Sequence, residues 1–298
     1  MDQSLINTEL LRRLEQLQLI ARRWAKSSLR GERQSRARGF SIEFADYRNY
    51  VAGDDLRYLD WGLYGRLDRL FLRLYEEERE LPVTVFLDAS ESMGFGEPAK
   101  FLFARQIAAA VCHVALCGLD RVTVRFFPEK AENQRFGLPL RSVRGRQSSL
   151  RLLEHLSALV AGGESDFNED LKRGVLEASH AGLAVVVSDL LSHTGCKGGL
   201  EALMARGFQV MVVQVLSPEE IQPTSFGDLK FVDAETGAVQ EVTFGKYRLS
   251  RYQASATAYV DGLADFCRRR GIGFWSVSSA SLLEDLLLKQ LKEGGFWR

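Results

Sequence analysis

Apolar residues recur at near-helical spacing from residue 5 to residue 26, at Leu5, Ile6, Leu10, Leu11, Leu14, Leu17, Leu19 and Ile20, with Arg and Glu between them. That periodicity predicts one amphipathic helix whose apolar face covers the sheet of the main domain or binds a partner. The stretch SSLRGERQSRARGF that follows is rich in Arg, Ser and Gly and reads as an exposed basic loop. Leu70 to Tyr75 alternates as a strand does, and LPVTVFLD at 81–88 is a nearly continuous apolar, β-branched run, as a strand buried on both faces requires. Downstream the pattern predicts helix 98–117, strand 121–127, helices 147–160 and 167–179, strand 183–188, helix 197–206 and strand 208–216. Residues 224–245 break this rhythm with two alternating runs around Glu-Thr-Gly-Ala, a β-hairpin inserted at the sheet edge. A helix over 246–270, a strand over 272–278 and a closing helix SLLEDLLLKQLKEG complete the chain.

Strands alternating with helices imply an α/β fold, a doubly wound, mostly parallel sheet flanked by helices. The expected organisation is an N-terminal extension, 1–79, packed on a main domain, 80–298, that carries the hairpin. The 298 residues are 46% hydrophobic and 26% charged, with 39 Lys+Arg balancing 39 Asp+Glu. Net neutrality removes any global field that would select nucleic acid or a membrane surface, so a partner must be chosen by a local site. The four cysteines lack CxxC spacing, which points away from a zinc cluster or disulfide framework and toward a reducing cytoplasm. The charged start MDQSLINTELLRRLEQLQ is unlike a secretory signal, and no run is read as reaching the roughly 20 apolar residues of a membrane span.

The sharpest chemistry lies at the strand end VFLDASES, where Asp88, Ser90 and Ser92 are spaced i, i+2, i+4. Ligands of open α/β sheets bind outside the carboxyl ends of the strands. A second strand, AVVVSDL, ends in Asp189, and the loop GGESDFNEDL brings Ser165 and Asp166 to the start of a helix. Two carboxylates and three hydroxyls are hard oxygen ligands suited to Mg²⁺ or Mn²⁺. An ion held directly by hydroxyls keeps much of its charge and an open position for an incoming carboxylate. A Mg²⁺-dependent phosphotransferase or hydrolase using Asp88 is the alternative. No phosphate-binding Gly-x-x-x-x-Gly-Lys loop accompanies it; His113 and His155 fall inside helical patterns and read as packing residues, and His180 and His193 sit near helix or strand ends without partners in view, so no catalytic residue is assigned.

DASES resembles the DxSxS signature of the metal-ion-dependent adhesion site of von Willebrand factor A domains, which are Rossmann-like. In those domains a Thr from a Gly-rich loop and an Asp after a later strand complete the site. Ser165 and Asp189 stand at those places, Ser replacing Thr, and whether Ser165 or Asp166 contributes stays open. A second stretch, from Tyr47 to Glu80, resembles the Y-x-x-GDD-x-R-x-x-DW pattern of the bacterial domain of unknown function 58 family, through Tyr50, Gly53, Asp54, Asp55, Arg57, Asp60 and Trp61. The resemblance implies a von Willebrand A-like adaptor, and the residues themselves give no reason to expect an enzyme. It also implies a MoxR-type AAA ATPase as partner, and a protein client. Physically, GDDLRYLDW reads as a buried ion-pair network beside Trp61 or as a surface that senses the partner. The basic loop could touch phosphates, but aromatic interleaving is sparse, so nucleic acid is not expected.

Overall fold

A computed structural model describes residues 5–19, 42–77, 80–128, 140–223, 227–232, 239–244 and 246–297. In chain order the elements are α1 (Thr8–Leu14), β1 (Ile42–Asn49), α2 (Trp61–Leu67), β2 (Phe71–Glu77), β3 (Pro82–Asp88), α3 (Lys100–Cys117), β4 (Arg121–Phe127), β5 (Leu140–Val143), α4 (Ser148–Ala158) and α5 (Phe167–Glu177). There follow β6 (Leu183–Ser188), α6 (Lys197–Ala205), β7 (Gln209–Leu216), the single turn α7 (Pro218–Ile221), β8 (Gly227–Val232), β9 (Val239–Phe244), α8 (Lys246–Arg270) and β10 (Gly273–Ser278). The chain closes on a helix that runs α–π–α through Leu283–Asp285, Leu286–Gln290 and Leu291–Glu293. The chain divides into two compact units: residues 1–21 with 81–298, and residues 22–80. The first 21 residues therefore group with the main body rather than with the segment that follows them.

The larger unit is built on a six-stranded sheet of order β10-β7-β6-β3-β4-β5. Every neighbouring pair is parallel except β4 and β5. The connection from β3 leads to β4 on one side, and the connection from β6 leads to β7 on the other. Successive connections diverge between β3 and β6, which opens a crevice at their carboxyl ends. Residues 83–88 of β3 and all of β6 are buried, because helices cover both faces. On one face Phe86, Val186 and Val212 join Leu171 of α5, Leu200 of α6 and Phe266 of α8 in a single core. By strand alternation Val85 and Leu87 point the other way, toward α3, which packs against β3, β4, β6 and β7. That helix is long and apolar enough to cross a membrane by length and composition, yet 78% of it is buried inside the fold.

The N-terminal helix is shorter than its periodicity predicts. Asn7 caps it, accepting from the Leu10 amide at 2.6 Å, and it ends at Leu14. The chain turns after Glu15, Leu17 is buried, and Leu19 pairs with Trp297 in an antiparallel bridge. Leu10 and Leu14 are buried and α1 packs on α3, so its apolar face is covered within the chain. Residues 20–41, including the basic loop, and residues 233–238, which join the hairpin strands, lie outside the described residues. The hairpin strands pair antiparallel as a sheet of their own, not as an extension of the main sheet. The short edge strand β5 was not anticipated.

In the smaller unit β1 and β2 pair antiparallel, from Ile42 opposite Glu77 to Asn49 opposite Phe71. The GDDLRYLDW segment between them is not a buried ion-pair network beside Trp61, because Trp61 is 64% exposed. Each acid instead serves its own local turn. Asp54 accepts from the Val51 amide at 2.8 Å and from Arg48 at 2.9 Å across a turn in which Gly53 holds φ +107°. Asp55 caps a 3₁₀ turn and pairs with Arg57, whose guanidinium holds its pKa down at about 2. Asp60, the buried acid of the three, caps α2 and accepts from the Tyr47 hydroxyl at 3.0 Å. What the segment leaves outward is apolar: Leu56, Tyr58, Trp61, Tyr64 and Leu67 are all exposed.

Candidate metal centre

At the crevice between β3 and β6 the chain leaves both strands abruptly, which is why their last side chains face one another. The Ala89 amide donates to the Phe127 carbonyl at 2.7 Å, and the Ala89 carbonyl accepts from the Gly162 amide at 2.7 Å. The Glu91 amide donates to the Gly163 carbonyl at 2.9 Å. These backbone bonds clamp the 88–91 turn to the Gly162-Gly163 loop, and so carry Ser165 toward Asp88. After β6 the chain turns through Leu190, a non-glycine residue at φ +59°, a conformation that costs energy and that surrounding structure must hold. Here the Leu190 amide donates to Ser188 Oγ at 2.9 Å, and the Leu190 carbonyl accepts from the Tyr259 hydroxyl.

Asp88, Ser90, Ser92, Ser165 and Asp189 all line one pocket, with Ser188, Ser192, Phe167 and Leu191. The five oxygen-bearing residues singled out by sequence are therefore brought together. Asp88 Oδ1 accepts from the Ser90 amide at 3.0 Å and from Ser90 Oγ at 2.7 Å, while Oδ2 accepts from Ser188 Oγ at 2.5 Å. Ser90 Oγ and Ser92 Oγ lie 3.0 Å apart, and Ser92 Oγ donates to Asp189 Oδ2 at 3.1 Å. The structure places Ser165 and Asp166 differently. Asp166 is exposed and caps α5, accepting from the Asn168 and Glu169 amides, while Ser165 faces the pocket and donates to Asp170 at 2.9 Å.

Sequence reasoning missed a fully buried lysine. Lys100 Nζ, at the head of α3, donates to Asp189 Oδ2 at 2.7 Å and to Glu220 Oε1 at 2.6 Å. Glu220 is held in turn by a capping box with Ser217 at the start of α7. Burial alone lowers the Lys100 pKa, but the charges of Asp189 and Glu220 outweigh it and the net direction is up, so the ammonium stays charged. Lys100 opens a helix that is otherwise apolar for its first turn, KFLF, and that oddity was the available signal. Ser188 was read only as the end of a strand, although its hydroxyl completes the ring around Asp88.

The donor set fits a hard divalent cation. Lys100 is shared between Asp189 and Glu220, and Asp88 lies in the same pocket as Asp189, so carboxyl groups outnumber the ammonium there. Burial, and then the charge of Asp189, push the Asp88 pKa up to about 7, so the site disfavours the charged form of Asp88. A cation among hydroxyl and carboxylate oxygens relieves that repulsion.

A profile of the family described as "Protein of unknown function DUF58" matches residues 46–260, which takes in both the GDDLRYLDW segment and the pocket. The chain belongs to this family. Among similar sequences are uncharacterized proteins of Mycobacterium bovis and Mycobacterium tuberculosis, each 27% identical to this DUF58 chain over 264 residues, covering 87% of it and 81% of the relative. Among solved structures, the conserved hypothetical protein BatB from Bacteroides thetaiotaomicron is 14% identical, covers 72% of this chain and 98% of its own, and superposes with a TM-score of 0.41. A von Willebrand factor type A protein from Catenulispora acidiphila is 13% identical, covers 76% of this chain and 44% of its own, with a TM-score of 0.39. The sheet order and the parallel pairing of this DUF58 chain by themselves give an α/β architecture, a mostly parallel sheet flanked by helices.

Proposed function

We propose that this chain is a cytoplasmic interaction module that binds a partner protein through a divalent cation, Mg²⁺ or Mn²⁺. The observation that carries this reading is the convergence of Asp88, Ser90, Ser92, Ser165 and Asp189 on one pocket at the strand crevice; these residues would hold the ion. When bound, the ion supplies a positive, incompletely coordinated point to which a partner's carboxylate can attach. The chain's own residues do the rest: Ser188 and Ser90 orient Asp88, and Lys100 fixes Asp189 and offsets part of the acidic charge. Both oxygens of Asp88 are engaged by neighbouring hydroxyls or amides, which favours a ligand over a nucleophile.

The partner in this reading is a MoxR-type AAA ATPase, which would supply energy while this chain recognises a client. Affinity capture of a purified MoxR-type ATPase by wild type and by Asp88→Ala, each in millimolar Mg²⁺ and in EDTA, tests the reading. Retention only by wild type in Mg²⁺ is expected. Retention that ignores both metal and mutation contradicts it.

The two residues of the Gly-rich loop separate by role. Asp166→Ala is expected to lose a helix cap worth about 1 kcal/mol and to leave cation affinity unchanged, whereas Ser165→Ala keeps the stability and weakens cation binding. Urea denaturation and a Mn²⁺ titration of both variants check this pair.

A further inference from the structure

Outside the pocket, one cluster combines three different ligand types. His113 and Cys117 are spaced i, i+4 on α3, which places them on one face of the helix, and Glu15, just past the end of α1, meets them there. One ligand atom from each lies within 4.8 Å of the others. His113 Nε2 and Cys117 Sγ are 3.7 Å apart. A tetrahedral ion that binds nitrogen at 2.0–2.1 Å and sulfur at 2.3 Å holds those two donors about 3.6 Å apart. The other ring nitrogen, Nδ1, lies 2.7 Å from Ser149 Oγ on α4. A partner of that kind on one ring nitrogen is the sort of outer contact that orients a metal-binding histidine. Burial lowers the His113 pKa, which favours the neutral ring.

We propose that Glu15, His113 and Cys117 form a second metal site, of the class that takes Zn²⁺, with three protein ligands and one open position. It shares no residue with the oxygen-lined pocket, and its nitrogen and sulfur donors select a softer ion than Mg²⁺. Binding breaks the Cys117 S–H bond, forms a sulfur–metal bond and releases the proton to solvent. Among the described residues, the other charged group that acts on His113 and Cys117 is Arg146, which pairs with Glu15. Its side chain is 67% exposed, so the pair is weak in water and an entering cation displaces it. The backbone of Leu11 also faces the His113 ring. A bound ion would pin the end of α1 to α3.

Titration of the metal-stripped full chain with Co²⁺, an optical stand-in for Zn²⁺, tests the site. A thiolate-to-Co²⁺ charge-transfer band is expected to saturate at about one equivalent in wild type and equally in Asp88→Ala, and to vanish when Zn²⁺ is added. Cys117→Ser removes the band, and His113→Gln weakens binding about tenfold or more. Cys117 is only half-buried, so its serine variant keeps the test decisive even if the His113 variant does not fold. No band in wild type, or an unchanged band in Cys117→Ser, overturns the proposal.

Discussion

Replacing Lys100 by methionine is expected to destabilise the larger unit by about 3–5 kcal/mol, the cost of removing one partner from a buried ion pair. The ammonium is fully buried and is the shared donor to Asp189 and Glu220. Methionine fills much the same volume, so the loss comes from the two carboxylates left facing one another rather than from a cavity. Urea denaturation of Lys100→Met, followed by the midpoint of its unfolding transition, measures this. A Lys100→Met/Glu220→Gln double variant should recover part of the loss, because it removes one of the unpaired charges. A midpoint equal to wild type in the single variant would mean that the lysine does not balance the pocket's charge.

Gly182→Ala is the second large effect. Gly182 stands just before β6, beside the start of β3, and a Cβ built there overlaps the Pro82 carbonyl oxygen. The clash is with backbone, which cannot rotate away, so the two central strands must separate. We expect a cost of about 3 kcal/mol in urea denaturation. Gly262→Ala is the control, since nothing lies within 4 Å of its added Cβ and it sits inside α8. Helix propensity should make that change neutral or stabilising by up to about 1 kcal/mol. Equal effects at the two positions would contradict the close approach of β3 and β6.

Much of this architecture is legible locally. β3 and β6 are apolar throughout because parallel strands are covered on both faces, and their ends are marked by Asp88 and Asp189. Asp88, Ser90 and Ser92 could be found because they leave the first of these strands in direct succession. The N-terminal helix was overextended because Leu17 and Leu19 continue the helical rhythm. Leu19 is in fact committed to a bridge with Trp297 at the far end of the chain, which no local window detects. β5, with the sequence LRSV, is a short edge strand that carries no two-sided apolar pattern. Lys100 was missed because a lysine at a helix start is ordinarily solvated, and its partners come from segments distant in sequence. The buried-network reading of GDDLRYLDW fails because each of its three acids satisfies a turn or cap of its own.

The most direct test of the central claim is a titration of the metal-stripped chain with Mn²⁺, read by electron paramagnetic resonance, for wild type and Asp88→Ala. The account requires an oxygen-ligated Mn²⁺ in wild type that Mg²⁺ displaces, and an affinity in Asp88→Ala lower by more than about a hundredfold, beyond the loss that removal of an outer partner causes. Wild-type protein that leaves Mn²⁺ free in solution, or an Asp88→Ala variant that binds it equally well, would contradict the account.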